Sequence, residues 1–316
     1  MKRTILVTGG AGNIGGALVS RLTENPDNYV VIVDNLITGK KEKLPPRERD
    51  NWTFIQADAN DYQKMLAIMT SNRFDYVFHY AAMVGVKRTI QNPLGVLDDI
   101  QGIRHTMELA KNTGVKRVFF SSSSEVYGEP VEIPQHEETT PLNARLPYAI
   151  VKNVGEAYLR SYQETHGLDY TIFRFFNTYG PKQSEDFVMV KFIKAALEGK
   201  DLTVYGDGSQ QRTFCYVDDN IDTCLTCLYD DKCINETLNI GSDKMITIFE
   251  LAELIIRLTG SSSKIVHLPP LEKGDMQRRQ PDSRKMAGIL NRELVPLEEG
   301  IRRMIKHLTE RASQVS

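Results

Sequence analysis

An apolar run, Thr4-Ile5-Leu6-Val7, passes directly into Thr8-Gly9-Gly10-Ala11-Gly12-Asn13-Ile14-Gly15, and no other feature constrains the fold as much. The run reads as a strand, the glycines as a tight turn, and the residues from Asn13 as the start of a helix. Glycines let the backbone approach a pyrophosphate, and the amides opening the helix face its negative charge. A chain that begins this way is expected to build a sheet with crossover helices and to hold a dinucleotide.

The first half keeps that rhythm. Strand-like runs at Thr4–Thr8, Val30–Val33, Thr53–Gln56, Tyr76–His79, Arg117–Ser121 and Tyr170–Phe175 alternate with helical patterns, the mark of a parallel sheet. The first helix carries Ile14, Leu18 and Leu22 on one face, and Asn25-Pro26 ends it. A later one starts after Pro147 and runs towards Gly167. Beyond Asn177 turn clusters such as Tyr179-Gly180-Pro181 and Gly206-Asp207-Gly208-Ser209 alternate with short helices, and Leu238–Gly241 reads as one more strand. The expected division is a dinucleotide-binding domain over 1–177, rejoined by 212–240, and a smaller domain from 178–211 and 241–316.

Composition removes several classes of function. With 316 residues, 41% hydrophobic and 25% charged, the chain matches an ordinary globular protein of one large or two moderate domains. A net charge of −2 offers no basic field for nucleic acid or a membrane surface. No apolar stretch is long enough to cross a bilayer, and the run after Met1-Lys2-Arg3 stops at Gly9-Gly10, too soon for a signal peptide. A cytoplasmic protein is expected. Of the cysteines, Cys224 and Cys227 have metal-like spacing, but Cys215 and Cys233 do not form the second close pair that zinc wants. They are read as buried reduced thiols, with no metal site.

Gly10, Gly12 and Gly15 fit a dinucleotide fingerprint, as do Gly9, Gly12 and Gly15. Asp34 ends the second strand about twenty residues on, where a carboxylate hydrogen-bonds the adenosine ribose and repels a 2′-phosphate. NAD is therefore expected rather than NADP, although Lys40 and Lys41 follow closely. Asp58, after the third strand, is a candidate for the adenine amino group.

Tyr148 and Lys152 lie four residues apart on a predicted helix, so they share a face. A free phenol has a pKa near about 10, and an ammonium beside it lowers that value. The phenolate can then take a proton from a substrate hydroxyl. Upstream, Ser121-Ser122-Ser123-Ser124-Glu125 ends a strand, where sheets of this kind present ligands, and serine hydroxyls can hold the reacting oxygen.

Taken together, these elements resemble the extended short-chain dehydrogenases/reductases of the nucleotide-sugar epimerase/dehydratase family. The resemblance spans nearly the whole chain. It is carried by Thr8–Gly15, Asp34-Asn35-Leu36, His79-x-Ala81-Ala82, Ser123-Ser124-Glu125-Val126-Tyr127-Gly128, Tyr148-x-x-x-Lys152, Arg174–Pro181 and Arg212–Asp219. It implies an α/β, Rossmann-type doubly wound parallel sheet with a smaller C-terminal α/β substrate-binding domain. It also implies NAD recycled within one turnover, a nucleoside-diphosphate sugar (a UDP-sugar foremost) and a 4-keto intermediate. A homodimer joined through helices near Asp99–Asn112 and Tyr148–His166 follows as well. By the resemblance Gly9, Gly12, Asn13, Ile14, Gly15, Asp34, Asn35, Asp58, Ala81, Ala82, Tyr148 and Lys152 bind the cofactor. Tyr148, Lys152, Ser123, Ser124 and Glu125 carry the chemistry. Arg212 and Arg279 clamp the diphosphate, Asn177 takes a phosphate or sugar oxygen, Val204 and Tyr205 lie along the base, and Arg88 meets the substrate.

Oxidation at C4 opens three outcomes: 4-epimerisation, 4,6-dehydration, or loss of a C6 carboxylate. Plain 4-epimerases of the family usually have a small residue where this chain has Glu125, whereas dehydratases and UDP-glucuronate decarboxylases have glutamate. The dTDP-glucose dehydratases add an aspartate just before it; this chain has Ser124, a pattern closer to the decarboxylases and the GDP-mannose dehydratases. The run Asp275–Asp282 leans towards the decarboxylases; Gly85-Val86-Lys87-Arg88-Thr89 resembles dehydratases and epimerases. Two positions depart from the family: Asn13 replaces an aromatic residue of the glycine loop, and Asp99 stands where an asparagine is usual, placing a charge near the Tyr–Lys pair. Lyase chemistry is favoured, with a 4-epimerase as the alternative. An NAD-binding sensor without turnover and a simple alcohol dehydrogenase are the rival classes.

Overall fold

The computed structural model describes residues 2–270 and 278–315. Its centre is a seven-stranded sheet: β1 (Arg3–Thr8), β2 (Asn28–Asp34), β3 (Trp52–Gln56), β4 (Tyr76–His79), β5 (Arg117–Ser123), β6 (Asp169–Phe175) and β7 (Glu236–Ile240). The order across the sheet is β7-β6-β5-β4-β1-β2-β3, and the pairings from β3 to β6 are parallel. From β1 the chain winds outward to β2 and β3, then returns past β1 to build β4, β5 and β6. The reversal falls between β1 and β4, the position at which open sheets of this type bind ligands beyond their carboxyl ends. Thr8 pairs with His79 in register, so both strands stop at the same level.

Burial on both faces explains the strand sequences. Ile5, Leu6, Val7, Val77, Phe78, Val118, Phe119 and Phe173 are all 0% exposed. Buried from two sides, a parallel strand reads as a continuous apolar run rather than an alternation. Each such side chain contributes on the order of 1.5–3 kcal/mol by leaving water. Phe78 and Phe119 stack across β4 and β5 with centroids 4.3 Å apart and planes 7° from parallel.

Helices positioning the site are α1 (Asn13–Leu22), α2 (Tyr62–Ser71), α3 (Asp99–Thr113) and α4 (Pro147–His166). Pro147 opens α4, where its missing amide costs nothing, and Gly167 closes it in a left-handed conformation at φ 69°. Gly114 ends α3 in the same way at φ 77°.

The chain packs as two compact units, 1–128 with 141–175 and 221–239, and 129–140 with 176–220 and 240–316. The division drawn from the sequence differs in assigning 129–140, 176–177, 212–220 and 240 to the first. Within the second unit, Gln135 forms a bridge with Pro281 and the Asp282 amide donates to the Gln135 carbonyl at 2.8 Å, which ties 129–140 there. This unit holds short pairings, of 202–205 with 265–268 and of 211–213 with 245–247, beside helices Val188–Leu197 and Ile248–Thr259. Asp275, Met276 and Gln277 lie outside the described residues. Cys215, Cys224 and Cys227 are buried, and no disulfide joins the cysteines. Among the described residues, no helix is long and apolar enough to cross a membrane.

Candidate active site

The glycine loop is built by close approach. Gly9 sits at φ +70°, and a β-carbon there would lie 2.6 Å from the Ala81 nitrogen. One on Gly15 would collide with the Gly9 carbonyl oxygen, which accepts the Gly12 amide at 3.0 Å. Side chains are excluded because the loop is folded back on β1 and pressed against the strand end that follows β4. Gly12 caps α1 in an extended conformation, with no side-chain hydrogen bond to the helix. The amides of Asn13 and Ile14 thus open α1 as anion donors. A dinucleotide pyrophosphate fits this cradle, and the exclusion of a β-carbon at Gly9, Gly10 and Gly15 is the observation that supports the fit.

Asp34 holds the other side of the loop. Its Oδ2 accepts the Ala11 amide at 2.9 Å and its Oδ1 the Leu36 amide at 2.8 Å. These bonds fix the carboxylate at the carboxyl end of β2, with lone pairs left for ribose hydroxyls. Asn35 donates through Nδ2 to Asp58 Oδ2 at 3.0 Å, joining two of the expected adenosine-side residues. The Ala81 amide donates to Thr8 Oγ1 at 3.3 Å, and Ala82 follows on the half-buried loop after β4. Arg88, farther along, is half-buried and donates to the Val84 carbonyl at 2.8 Å.

Tyr148 and Lys152 share one face of α4, and the Lys152 Nζ lies 5.8 Å from the Tyr148 ring centroid. Lys152 is 2% exposed and donates to Ser121 Oγ at 3.3 Å. Burial pushes its pKa down to about 8, against the opposing pull of the Asp99 carboxylate. His79, at the end of β4, is driven down to about 3 by burial and by the Lys152 charge, so its ring is neutral. Its Nδ1 meets Thr8 Oγ1 and Thr106 Oγ1, each at 3.1 Å. Ser123 caps the short 3₁₀ turn Ser124–Tyr127, its Oγ accepting the Glu125 amide at 3.2 Å. Ser124 is buried and Glu125 half-buried.

A buried ion pair supports that turn from beneath. Alternation along β5 sends Phe120 and Ser122 under α4, where Ser122 Oγ donates to Glu156 Oε1 at 2.7 Å. Arg174 grips the same carboxylate through Nε at 2.8 Å and Nη2 at 2.7 Å, and its Nη1 donates to the Tyr127 hydroxyl at 2.8 Å. Tyr127 donates onward to Asn239 Oδ1 at 2.7 Å. Burial alone would raise the Glu156 pKa; the Arg174 contacts outweigh it and hold the carboxyl low.

Comparison with known proteins agrees with this geometry. The profile of the NAD dependent epimerase/dehydratase family matches residues 5–241. The chain belongs to that family. A UDP-N-acetyl-alpha-D-glucosaminuronate decarboxylase of Bacillus cytotoxicus is 37% identical over 98% of this chain and 99% of its own. A UDP-glucose 4-epimerase of Thermotoga maritima, solved with UDP-glucose, superposes with a TM-score of 0.91 at 34% identity, covering 98% of this chain and 99% of that one. A dTDP-glucose 4,6-dehydratase of Streptomyces venezuelae, solved with NAD, superposes with a TM-score of 0.89 at 27% identity over 98% of each chain. The chain is thus an NAD-dependent enzyme of the epimerase/dehydratase family on a Rossmann-type sheet.

The other predicted residues of this family member lie in its second unit. Asn177 adopts φ 25°, in the left-handed region, and its Nδ2 donates to the Thr213 carbonyl at 3.0 Å. Val204 is 1% exposed and Tyr205 43% exposed, since successive residues of a strand face opposite sides. Of that pair, Tyr205 has the exposed side chain. Arg212 is half-buried, its Nη1 donating to the Gln211 carbonyl at 2.8 Å, and Arg279 is buried. Sequence reasoning gave no individual role to Ser121, which touches Lys152, or to Glu156 and Arg174. Ser121 was visible only as one of a run of similar serines. Glu156 carried the stronger signal, an acid on the inward face of an amphipathic helix.

Proposed function

We propose that this enzyme removes carbon dioxide from a nucleoside-diphosphate hexuronic acid, UDP-glucuronate or its 2-acetamido counterpart, by way of a 4-keto sugar. NAD, which the Gly9–Gly15 loop and Asp34 would hold, would supply a reversible hydride acceptor for the sugar C4. Tyr148, acidified by the Lys152 ammonium, takes the C4 hydroxyl proton. Serine hydroxyls at the end of β5 orient the C4 oxygen. The new ketone lies β to the C6 carboxylate, so the C5–C6 bond breaks, carbon dioxide leaves, and the electron pair enters the enolate. Glu125 supplies the proton that C5 then needs. Tyr148 returns its proton as the ketone is reduced, leaving a UDP-pentose.

The observation that carries this reading is the pair Ser124-Glu125 on the turn after β5. Dehydration of the dTDP-glucose type uses an aspartate just before the glutamate to protonate the leaving C6 hydroxyl, and the neighbour of Glu125 is a serine. Decarboxylation has no leaving hydroxyl and asks only for a proton at C5. The similarity to a glucosaminuronate decarboxylase along nearly its full length supports the same reading.

We assign Arg212 and Arg279 to the diphosphate, for which the planar guanidinium is suited, Asn177 to a phosphate or sugar oxygen, Tyr205 to the base, and Arg88 to the sugar. We further assign a homodimer through the outer faces of α3 and α4; sedimentation of the purified enzyme as a monomer would reject it. A UDP-sugar 4-epimerase is the second reading, favoured by the TM-score of 0.91 with such an enzyme. Incubation with UDP-glucuronate, its 2-acetamido analogue, UDP-glucose, dTDP-glucose and GDP-mannose separates the outcomes by product mass. Loss of carbon dioxide supports the decarboxylase. An unchanged mass with an inverted C4 proton signal supports the epimerase, and loss of water supports a dehydratase.

A further inference from the structure

The serines at the end of β5 are not equivalent hydroxyls. Ser122 Oγ donates to Glu156 at 2.7 Å, and Ser123 Oγ accepts the Glu125 amide at 3.2 Å. Ser121 has a different pair of neighbours. Its Oγ accepts from Lys152 Nζ at 3.3 Å and lies 3.5 Å from the His79 carbonyl oxygen. Chemistry fixes the direction of this chain. An ammonium only donates and a carbonyl only accepts, so the Ser121 proton goes to His79 and a lone pair faces Lys152.

Backbone pairing holds Ser121 in place. It sits opposite Phe173 in the β5–β6 ladder, and His79 sits opposite Phe120 in the β4–β5 ladder. The hydroxyl therefore stands on strands in the middle of the sheet. Lys152, by contrast, carries its charge on a flexible four-carbon stem. Its Nζ lies 5.0 Å from the Phe120 ring centroid and 5.8 Å from that of Tyr148, and a ring face attracts a cation without accepting a directed hydrogen bond. Among the described residues, the contact that gives the ammonium a direction is the one to Ser121. Lys152 is 2% exposed, so loss of that partner leaves a buried donor unpaired.

We propose that Ser121 is a positioning residue of the proton relay, its hydroxyl tethering the Lys152 ammonium to β5 so that the charge stays beside Tyr148. The proposal rests on the assignment of Tyr148 and Lys152 given above. Ser121→Ala removes the acceptor and leaves the strand pairing intact, since the ladder uses only backbone atoms. Ser121→Thr keeps the hydroxyl on a residue that strands favour.

The experiment uses NAD-loaded enzyme labelled with nitrogen-15 at the lysine side chains, with Lys152→Met to assign the signal. Spectra are taken at about pH 6, where a lysine with a pKa of about 8 is an ammonium. The exchange of the Lys152 ammonium protons with water is measured in the parent, Ser121→Ala and Ser121→Thr. Exchange should be at least about ten-fold faster in Ser121→Ala and within about two-fold of the parent in Ser121→Thr. On the nucleotide sugar that the parent turns over, kcat should fall by about 10–100-fold in Ser121→Ala and recover in Ser121→Thr, with KM changed less than about two-fold. An unmoved exchange rate in Ser121→Ala overturns the proposal, and so does faster exchange with an undiminished kcat. Faster exchange in Ser121→Ala, when the parent itself turns over no nucleotide sugar, supports the tether and rejects the reaction assigned above.

Discussion

Glu156 and Arg174 meet oxygen for nitrogen inside the first unit, Nε to Oε1 at 2.8 Å and Nη2 to Oε2 at 2.7 Å, at 0% and 1% side-chain exposure. Neither ion is solvated, so each depends on the other. Glu156→Ala leaves a buried guanidinium uncompensated and should destabilise the fold by about 3–5 kcal/mol, read from urea unfolding. The pH dependence has a definite sign. The Glu156 pKa is lowered in the folded state, so its stabilisation is present above the unfolded value of about 4.3 and is lost as pH falls through the lower folded value. The acid loss of stability should therefore be blunted in Glu156→Gln relative to the parent. A Glu156→Gln curve parallel to the parent's would count against the pair as a source of that dependence.

Tyr148→Phe removes one oxygen and leaves a ring of nearly the same shape packed on the core. Turnover should fall by at least about a thousand-fold, while the NAD content of purified protein stays at the parent level. The split matters because the proposed cofactor site at Gly9, Asp34 and the opening of α1 does not depend on the phenol. Activity within about ten-fold of the parent would remove Tyr148 from the reacting atoms.

Most of the first unit was legible because its signals are local. Continuous apolar runs marked each sheet strand, and glycine or proline marked where α1 and α4 stop or start. Polar residues hid the rest. β5 runs on to Ser123, two residues beyond the expected Ser121, because Ser122 and Ser123 continue the ladder with Arg174 and Phe175. Serine has little strand preference of its own, so that extension comes from pairing with β6. The contact of Ser121 with Lys152 spans 31 positions of sequence, and that of Arg117 with the Cys227 carbonyl spans 110. Such pairings depend on how helices lie on the sheet. Segment 129–140 was unreadable for the same reason: its partners are Gln280 and Asp282, far along the chain.

Gly15→Ala tests the cofactor cradle. The added methyl points at the Gly9 carbonyl oxygen, a backbone atom that cannot move without carrying the whole turn. NAD affinity should weaken by at least about ten-fold, measured by titrating stripped protein, with a thermal midpoint lowered as binding stabilisation is lost. Wild-type affinity in Gly15→Ala would mean that the dinucleotide does not bind over this loop.

Glu125→Gln separates the two chemical halves of the proposed reaction. The substitution keeps the size of the side chain and the amide bond from residue 125 to Ser123 Oγ, at 3.2 Å in the parent, but removes the exchangeable carboxyl proton. Oxidation at C4 depends on Tyr148 and Lys152, so mixing with UDP-glucuronate should still generate reduced-nicotinamide absorbance at close to the parent rate. The later step should suffer instead: release of the UDP-pentose should slow by about 10²–10⁴-fold, the range that positioned proton transfer contributes. In deuterated water the parent product should carry solvent deuterium at C5, while the slow product of Glu125→Gln should lose the single stereochemistry that a fixed donor imposes. If product forms at the parent rate with unchanged stereochemistry, Glu125 is a structural member of the turn and the proton at C5 comes from another group.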